Sequence, residues 1–267
     1  MLILKLCADF IHKAALAALF GILLLSAFAV SYSMGDHQFL GLYRYDYLFF
    51  FAIIIQVLLL YLKLESWDEA KVIAIFHILA MIMEIFLTHP SIGSWQYPQP
   101  AIFKIWTVPL FAGFMYSAVG SFFARSLRLY EIRFSNLPSF TNMMALSVCS
   151  YINFMTKFFI TDFRYVLLLW SALIFWDTKI YFQLKYRQVR FPMLPILVIL
   201  AVLIWIAENI STFYKIWLYP SQVDHWHAVG LGKIGSWYLL LLLSLVMVLK
   251  ILGNRMNNGD WYLKDHQ

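Results

Sequence analysis

Charge is what this chain has least of. Only 13% of its 267 residues are Asp, Glu, Lys or Arg, while 63% are hydrophobic. A soluble domain carries roughly 25% charged residues. A water-soluble fold of this size would have to hide more apolar surface than its core can hold, so lipid must be the solvent for much of the chain. Cysteine is scarce too. Cys7 and Cys149 lie far apart and without metal-type spacing, so neither a structural disulfide nor a thiolate site is expected. The net charge of +6 comes from cations in short clusters between apolar runs, the arrangement of juxtamembrane residues, and no nucleic-acid partner is expected. Aromatics are plentiful, with 10 Trp and 16 Tyr, as suits rings at headgroup depth.

Segments of about 18–22 apolar residues cross a ~30 Å hydrocarbon core as helices. Eight such segments fall near Ala14–Tyr32, Tyr47–Leu62, Ala70–Thr88, Ile105–Ala124, Asn142–Ile160, Tyr165–Phe182, Met193–Ser211 and Gly232–Leu252. The predicted fold is therefore all-α, a polytopic membrane helix bundle forming one transmembrane domain over 1–267. Asn142, Ser147, Ser150 and Asn153 interrupt the fifth segment. With eight spans, Arg44, Lys104, Lys157, Arg164, Lys215 and Lys233 are the six outer cations, and the other fourteen of the 20 Lys and Arg fall inside. Dropping the fifth span leaves eleven against nine of the same 20 and nearly erases the bias. The positive-inside rule thus selects eight spans with both termini cytoplasmic, in the plasma membrane. Lys5 and Lys13 before an apolar run ending near Ala27-Phe28-Ala29 resemble a cleavable signal, but the run continues through Val30 and reads as a signal-anchor.

An internal repeat follows from two stretches. Glu84 precedes Ser94-Trp95-Gln96-Tyr97-Pro98, and Glu208 precedes Trp217-Leu218-Tyr219-Pro220. Four spans separate the copies, so both lie on the outer face with the same orientation. This predicts a parallel 4+4 repeat with halves of roughly 1–135 and 136–267 and a pseudo-twofold axis along the membrane normal. Trp and Tyr anchor such a loop at the interface, and Pro stops the helix.

A carboxylate within the bilayer is costly, by about 2.5–3.5 kcal/mol, and marks a candidate site. Glu84 and Glu208 are accordingly the candidate catalytic residues, acting as proton donors, with Trp95, Tyr97, Trp217, Tyr219, His77 and His89 around the substrate. His77 lies two helical turns before Glu84, and His89 lies in the loop that follows. Zinc on His225, His227 and a carboxylate is the metal arrangement that Asp224-His225-Trp226-His227 would allow. With only seven histidines and no helical His clusters, no metal and no cofactor are expected. Lys157 with Asp162, and Asp177 with Lys179, read as pairs or snorkelling groups near helix ends. Lys185, Arg187 and Arg190 form an inner stop-transfer cluster, and Gly113, Ser117 and Gly120 a helix-packing face.

Through Glu84, the Ser94–Pro98 loop, Pro109, Glu208 and the second Trp-x-Tyr-Pro, the chain resembles the YoaT-like bacterial family of integral membrane proteins with no assigned activity. Gly93-Ser94-Trp95-Gln96-Tyr97 with Pro109 is also similar to loops of membrane carotenoid-biosynthesis proteins, the heterodimeric lycopene cyclases and bacterioruberin-pathway hydratases. The Pro-x-Glu-Glu of those cyclases is absent, since Leu110 follows Pro109. That resemblance implies acid chemistry on an isoprenoid.

Three functions remain open at this point: an enzyme protonating an apolar isoprenoid or lipid, a proton-coupled transporter, and a non-catalytic membrane partner. The bilayer is the expected partner in each, and the oligomeric state is left open. The orientation is testable by fusion reporters. Alkaline phosphatase joined after Pro98 or Pro220 should be active, and joined after Arg187 inactive. Activity at Arg187 would reverse the assignment.

Overall fold

The computed structural model describes residues 2–255 and 260–263. Met1 and Lys264, the latter one of the inner cations, lie outside them. In chain order the helices are α1 (Leu2–Ala17), α2 (Leu19–Val30), α3 (Arg44–Tyr61), α4 (Trp67–Leu87), α5 (Ala112–Leu129), α6 (Phe140–Thr156), α7 (Arg164–Ile174), α8 (Met193–Phe213) and α9 (Lys233–Leu252). Short strands separate some of them: β1 (Lys104–Ile105), β2 (Val108–Pro109), β3 (Arg133–Ser135), β4 (Lys179–Gln183), β5 (Gln188–Pro192), β6 (Gly253–Arg255) and β7 (Trp261–Leu263). The chain is mostly helical. Among the described residues, four helices, α3, α4, α8 and α9, are long and apolar enough to cross a membrane, and α1 with α2 makes a fifth if they form one broken span.

The strands correct the all-α expectation. The apolar segment Tyr165–Phe182 is not one helix. α7 stops at Ile174 after 11 residues, a rise of roughly 16 Å. The chain then turns and re-enters as β4, which alternates buried Ile180 and Phe182 with half-buried Lys179, Tyr181 and Gln183. A strand of Ile, Tyr and Phe has the hydropathy of a helical span, and only its period of two separates them.

The chain divides into two compact units. One comprises 20–119 and 204–231. It holds α2, α3, α4, the β1–β2 hairpin, the first turns of α5 and the last turns of α8. Its core is built from the buried faces of α2 (Leu24, Phe28), α3 (Leu48, Ala52) and α4 (Val72, Phe76, Ala80), with Phe111 below α5. α4 starts at a reciprocal cap. Ser66 Oγ accepts from Glu69 N at 3.2 Å, and Glu69 Oε2 accepts from Ser66 N at 2.7 Å. Ser117 donates to the carbonyls of Ile73 (3.1 Å) and Gly113 (3.0 Å), so the small residues of α5 do lie against α4.

The second unit comprises 1–19, 120–203 and 232–267. Its five strands form an antiparallel sheet in the order β5-β4-β3-β7-β6. α9 packs against α6 and α7 and buries Leu241, Leu242, Leu245, Val246 and Leu249. In both units the same helices turn large aliphatic groups outward, among them Ile54 and Leu58 of α3, Ile78 and Ile82 of α4, and Ile199 and Leu203 of α8. Exposed apolar stripes of this extent suit lipid rather than water.

Gly113 packs where a side chain cannot. A Cβ there would lie 2.5 Å from His77 Nδ1. Gly113→Ala should therefore destabilise the protein by about 1–3 kcal/mol, seen as a lowered Tm in detergent. Gly113→Ala combined with His77→Ala should recover much of that loss.

Candidate functional site

The site is built at the end of α4. Thr88 closes the helix, its Oγ1 donating to the Glu84 carbonyl at 2.8 Å. The chain then doubles back. His89 O accepts from both Ile92 and Gly93 at 2.9 Å, Gly93 takes a positive φ of 59°, and Ser94 N returns to Leu87 O at 3.0 Å. Only glycine adopts that φ without cost. The turn delivers Trp95 and Tyr97 to the carboxylate one helical turn back.

Glu84 is 1% exposed and holds three donors. Trp95 Nε1 (2.9 Å) and the Tyr97 hydroxyl (2.8 Å) reach Oε2, and the Tyr116 hydroxyl (2.7 Å) reaches Oε1. Hydrogen bonds to a charged group are worth roughly 1.5–3 kcal/mol each. Three of them offset an insertion cost of about 2.5–3.5 kcal/mol. All three donors are neutral. Trp95 can only donate, but a tyrosine hydroxyl can also accept. A proton can therefore enter at Oε1, with Tyr116 reversing its bond and no heavy atom moving far.

Glu208, 2% exposed, accepts from the Tyr219 hydroxyl at 2.6 Å, and the Trp217 indole N–H serves that same hydroxyl. The two motifs meet directly. Gln96 N donates to Leu218 O and Leu218 N to Gln96 O, both at 2.9 Å, an isolated antiparallel bridge between the middle residues of the two Trp-x-Tyr triplets. Trp95 and Tyr219 stack edge to face with centroids 6.2 Å apart. Burial, then the Glu208 charge, and more remotely that of Glu84, hold Tyr219 well above the ordinary phenol range. Burial and Glu84 do the same for Tyr97. Both hydroxyls keep their protons at physiological pH.

The structure thus gathers Glu84, Glu208, Trp95, Tyr97, Trp217 and Tyr219 into one aromatic cluster. His77 is half-buried against Phe114, with centroids 4.6 Å apart, and its Nδ1 has no hydrogen-bond partner among the described residues. His89 is exposed, with Nδ1 2.7 Å from Ser91 Oγ. His227 has both ring nitrogens near backbone carbonyls, those of Ala228 (3.1 Å) and Ser221 (3.0 Å). Among the described residues, no three of His, Cys, Asp and Glu gather to hold a metal ion. Cys7 and Cys149 are exposed and free.

Three contributors escaped the sequence reading. Tyr116 is the third donor to Glu84, and it follows Tyr97 by the same 19 positions that separate Tyr238 from Tyr219. That spacing could have found it. Tyr238 instead lies 2.8 Å from Ser171 Oγ. Arg44, counted only as an outer cation, is fully buried. Its guanidinium reaches Phe28 O (2.7 Å), Tyr214 O (2.9 Å), Ser31 Oγ (3.0 Å) and Gln99 Oε1 (3.1 Å). It thereby joins the carbonyl ends of α2 and α8, where a cation is favoured, to the loop beyond Tyr97. Asp46 pins the far end of that loop, accepting from Ile102 N and Phe103 N at 2.9 and 2.8 Å.

Glu84→Ala would leave three buried donors without their acceptor. It should lower stability by several kcal/mol, at roughly 1–3 per orphaned group. Glu84→Gln keeps an acceptor oxygen and should cost markedly less. Thermal unfolding of both variants in the same detergent orders them, and equal losses would contradict the network.

The sequence model of a family described as "Protein of unknown function (DUF817)" matches residues 6–245. The chain is also similar to "Uncharacterized protein YoaT" of Bacillus subtilis (strain 168), at 37% identity over 205 residues, 77% of each chain. No solved structure matches.

Proposed function

The chain belongs to the DUF817 family, whose description assigns no activity, and we propose from the site geometry that it is a bacterial plasma-membrane enzyme that protonates an apolar isoprenoid or lipid. The observation that carries this reading is a buried carboxyl whose partners are an indole and two reversible hydroxyls. Such a group changes protonation without breaking an ion pair. The carboxyl proton of Glu84 or Glu208 passes to one carbon of a double bond, whose π pair forms the new C–H bond. The other carbon becomes cationic, and the ring faces of Trp95, Tyr97, Trp217 and Tyr219 stabilise it. Loss of a neighbouring proton to the same carboxylate yields the rearranged alkene.

A multi-pass topology with inner termini and the parallel repeat belong to this proposal. Supporting the repeat, Glu84-x-x-x-Thr88 and Glu208-x-x-x-Thr212 end α4 and α8, and α2–α5 and α6–α9 run in parallel order along the chain. The residues that bond each other, Gln96 and Leu218, hold the same place in their motifs.

That last observation also favours a second reading, proton-coupled transport, in which the two glutamates are coupling carboxylates at a repeat interface. Incubation in D2O with bacterial isoprenoids, read by mass spectrometry, separates the two. Deuterium should enter an alkene with the native protein and be lost in Glu84→Gln or Glu208→Gln. Absence of incorporation with the native protein overturns the enzyme. A pH-driven solute flux in liposomes, abolished by the same substitutions, would establish transport instead.

A further inference from the structure

Glu84 is sealed from its surroundings, so an apolar substrate can reach it only if part of the wall around it moves. Much of that wall is tied down. Trp95, Tyr97 and Tyr116 bond the carboxyl itself, the Gln96–Leu218 bridge joins the two loops, and Ser117 fastens α5 to α4. Another part is covered by the β1–β2 hairpin. Val108 of β2 is fully buried and clusters with Met81 of α4 and Ala112 of α5, and the Tyr97 ring packs against that cluster. β1, by contrast, is exposed along its length. Phe103 packs on the Phe49 and Phe50 rings of α3, with centroids 5.9 and 5.2 Å apart. That contact sets exposed Ile102, Ile105 and Trp106 (76%) beside the exposed stripe of Phe50, Phe51 and Ile54. One pair of strands thus stands between the bilayer and the ring whose hydroxyl holds Glu84.

The hairpin is held unevenly. Its base is fixed: Asp46 accepts from Ile102 N and Phe103 N, Leu110 N donates to Phe103 O at 2.9 Å, and Phe111 is fully buried. Its far end meets α4 through a side-chain hydrogen bond between Thr107 Oγ1 and Thr88 Oγ1, at 2.7 Å. Thr88 gives its own proton to the Glu84 carbonyl, so Thr107 is the donor. Between base and tip lie the pairs Lys104 with Pro109 and Ile105 with Val108, and Pro109 has no N–H to give the ladder. The turn itself is strained. Trp106 takes a φ of 53° at the first of the two central residues, where glycine is favoured and a bulky side chain is an outlier. Strain of this kind gathers at clamps and switch segments.

We propose that the β1–β2 hairpin is a lateral gate, which swings about its base with the Thr88–Thr107 bond as its latch and admits an apolar substrate to Glu84 directly from the bilayer. The gate rests on the reading of Glu84 as an acid that such a substrate must reach, but its test reads access and not turnover. Dicyclohexylcarbodiimide partitions into lipid and captures a protonated carboxyl, whose O–H adds across one C=N bond. The adduct rearranges to a stable N-acylurea, which mass spectrometry locates on the Glu84 peptide. The full-length protein in liposomes, with Cys7→Ser and Cys149→Ser, would carry Thr88→Cys and Thr107→Cys. Reduced, it should label at Glu84. Oxidised to the disulfide, it should label about tenfold more slowly, and reductant should restore the rate. Thr107→Val, which deletes the latch without any cross-link, should label several-fold faster than the native protein. Equal rates in the reduced and oxidised protein, an unchanged rate in Thr107→Val, or no labelling of Glu84 in the reduced protein would each overturn the gate. Faster labelling by a water-soluble carbodiimide would move the entrance to the aqueous side and overturn the lateral route. Latch-dependent labelling without deuterium incorporation by the native protein would keep the gate and sink the enzyme.

Discussion

A carboxyl group buried among rings must have its oxygens occupied, and much of the local architecture of 20–119 and 204–231 serves that demand at Glu84. The Thr88 cap and the Gly93 turn bring Trp95 and Tyr97 back to it. α5 approaches α4 closely at Gly113 and Ser117, and between them its Tyr116 completes the set. Arg44 and Asp46, consecutive but for one residue on α3, then hold the loop from two directions. Arg44 does this through neutral acceptors. A planar guanidinium with five donors suits the task, because it can meet several carbonyls at once.

The two glutamates share a neighbourhood without sharing an environment. Glu84 has donors from one loop and from α5, and the Tyr219 hydroxyl reaches Glu208. The tyrosine that corresponds to Tyr116 by spacing is engaged with Ser171.

Much of the site was legible in the sequence because intramembrane carboxylates are rare and conspicuous. Glu84 and Glu208 stand out in apolar runs, and the repeated Trp-x-Tyr-Pro marks the loops that serve them. Tyr116 was not visible by the same logic. It is one aromatic among many in an apolar segment, and only its register after Tyr97 distinguishes it. Arg44 was hidden for another reason: at the mouth of a span, a cation that snorkels and one that is buried have the same sequence signature. The sheet was missed because hydropathy sums over a window and discards alternation, so Ile180-Tyr181-Phe182 was absorbed into a span that ends at Ile174. Asp162 has its direct hydrogen bonds from Asn153 and the backbone at Arg164, partners that the sequence did not single out.

The Gln96–Leu218 bridge is made of main-chain atoms on both sides. Its strength is therefore indifferent to which side chains stand at its centre, and one of them, Gln96, is exposed. That position offers an attachment point for a spectroscopic reporter. A fluorophore or spin label there would ride on the junction of the two loops without replacing any group that touches either carboxyl. It would register whether the two loops stay joined or part.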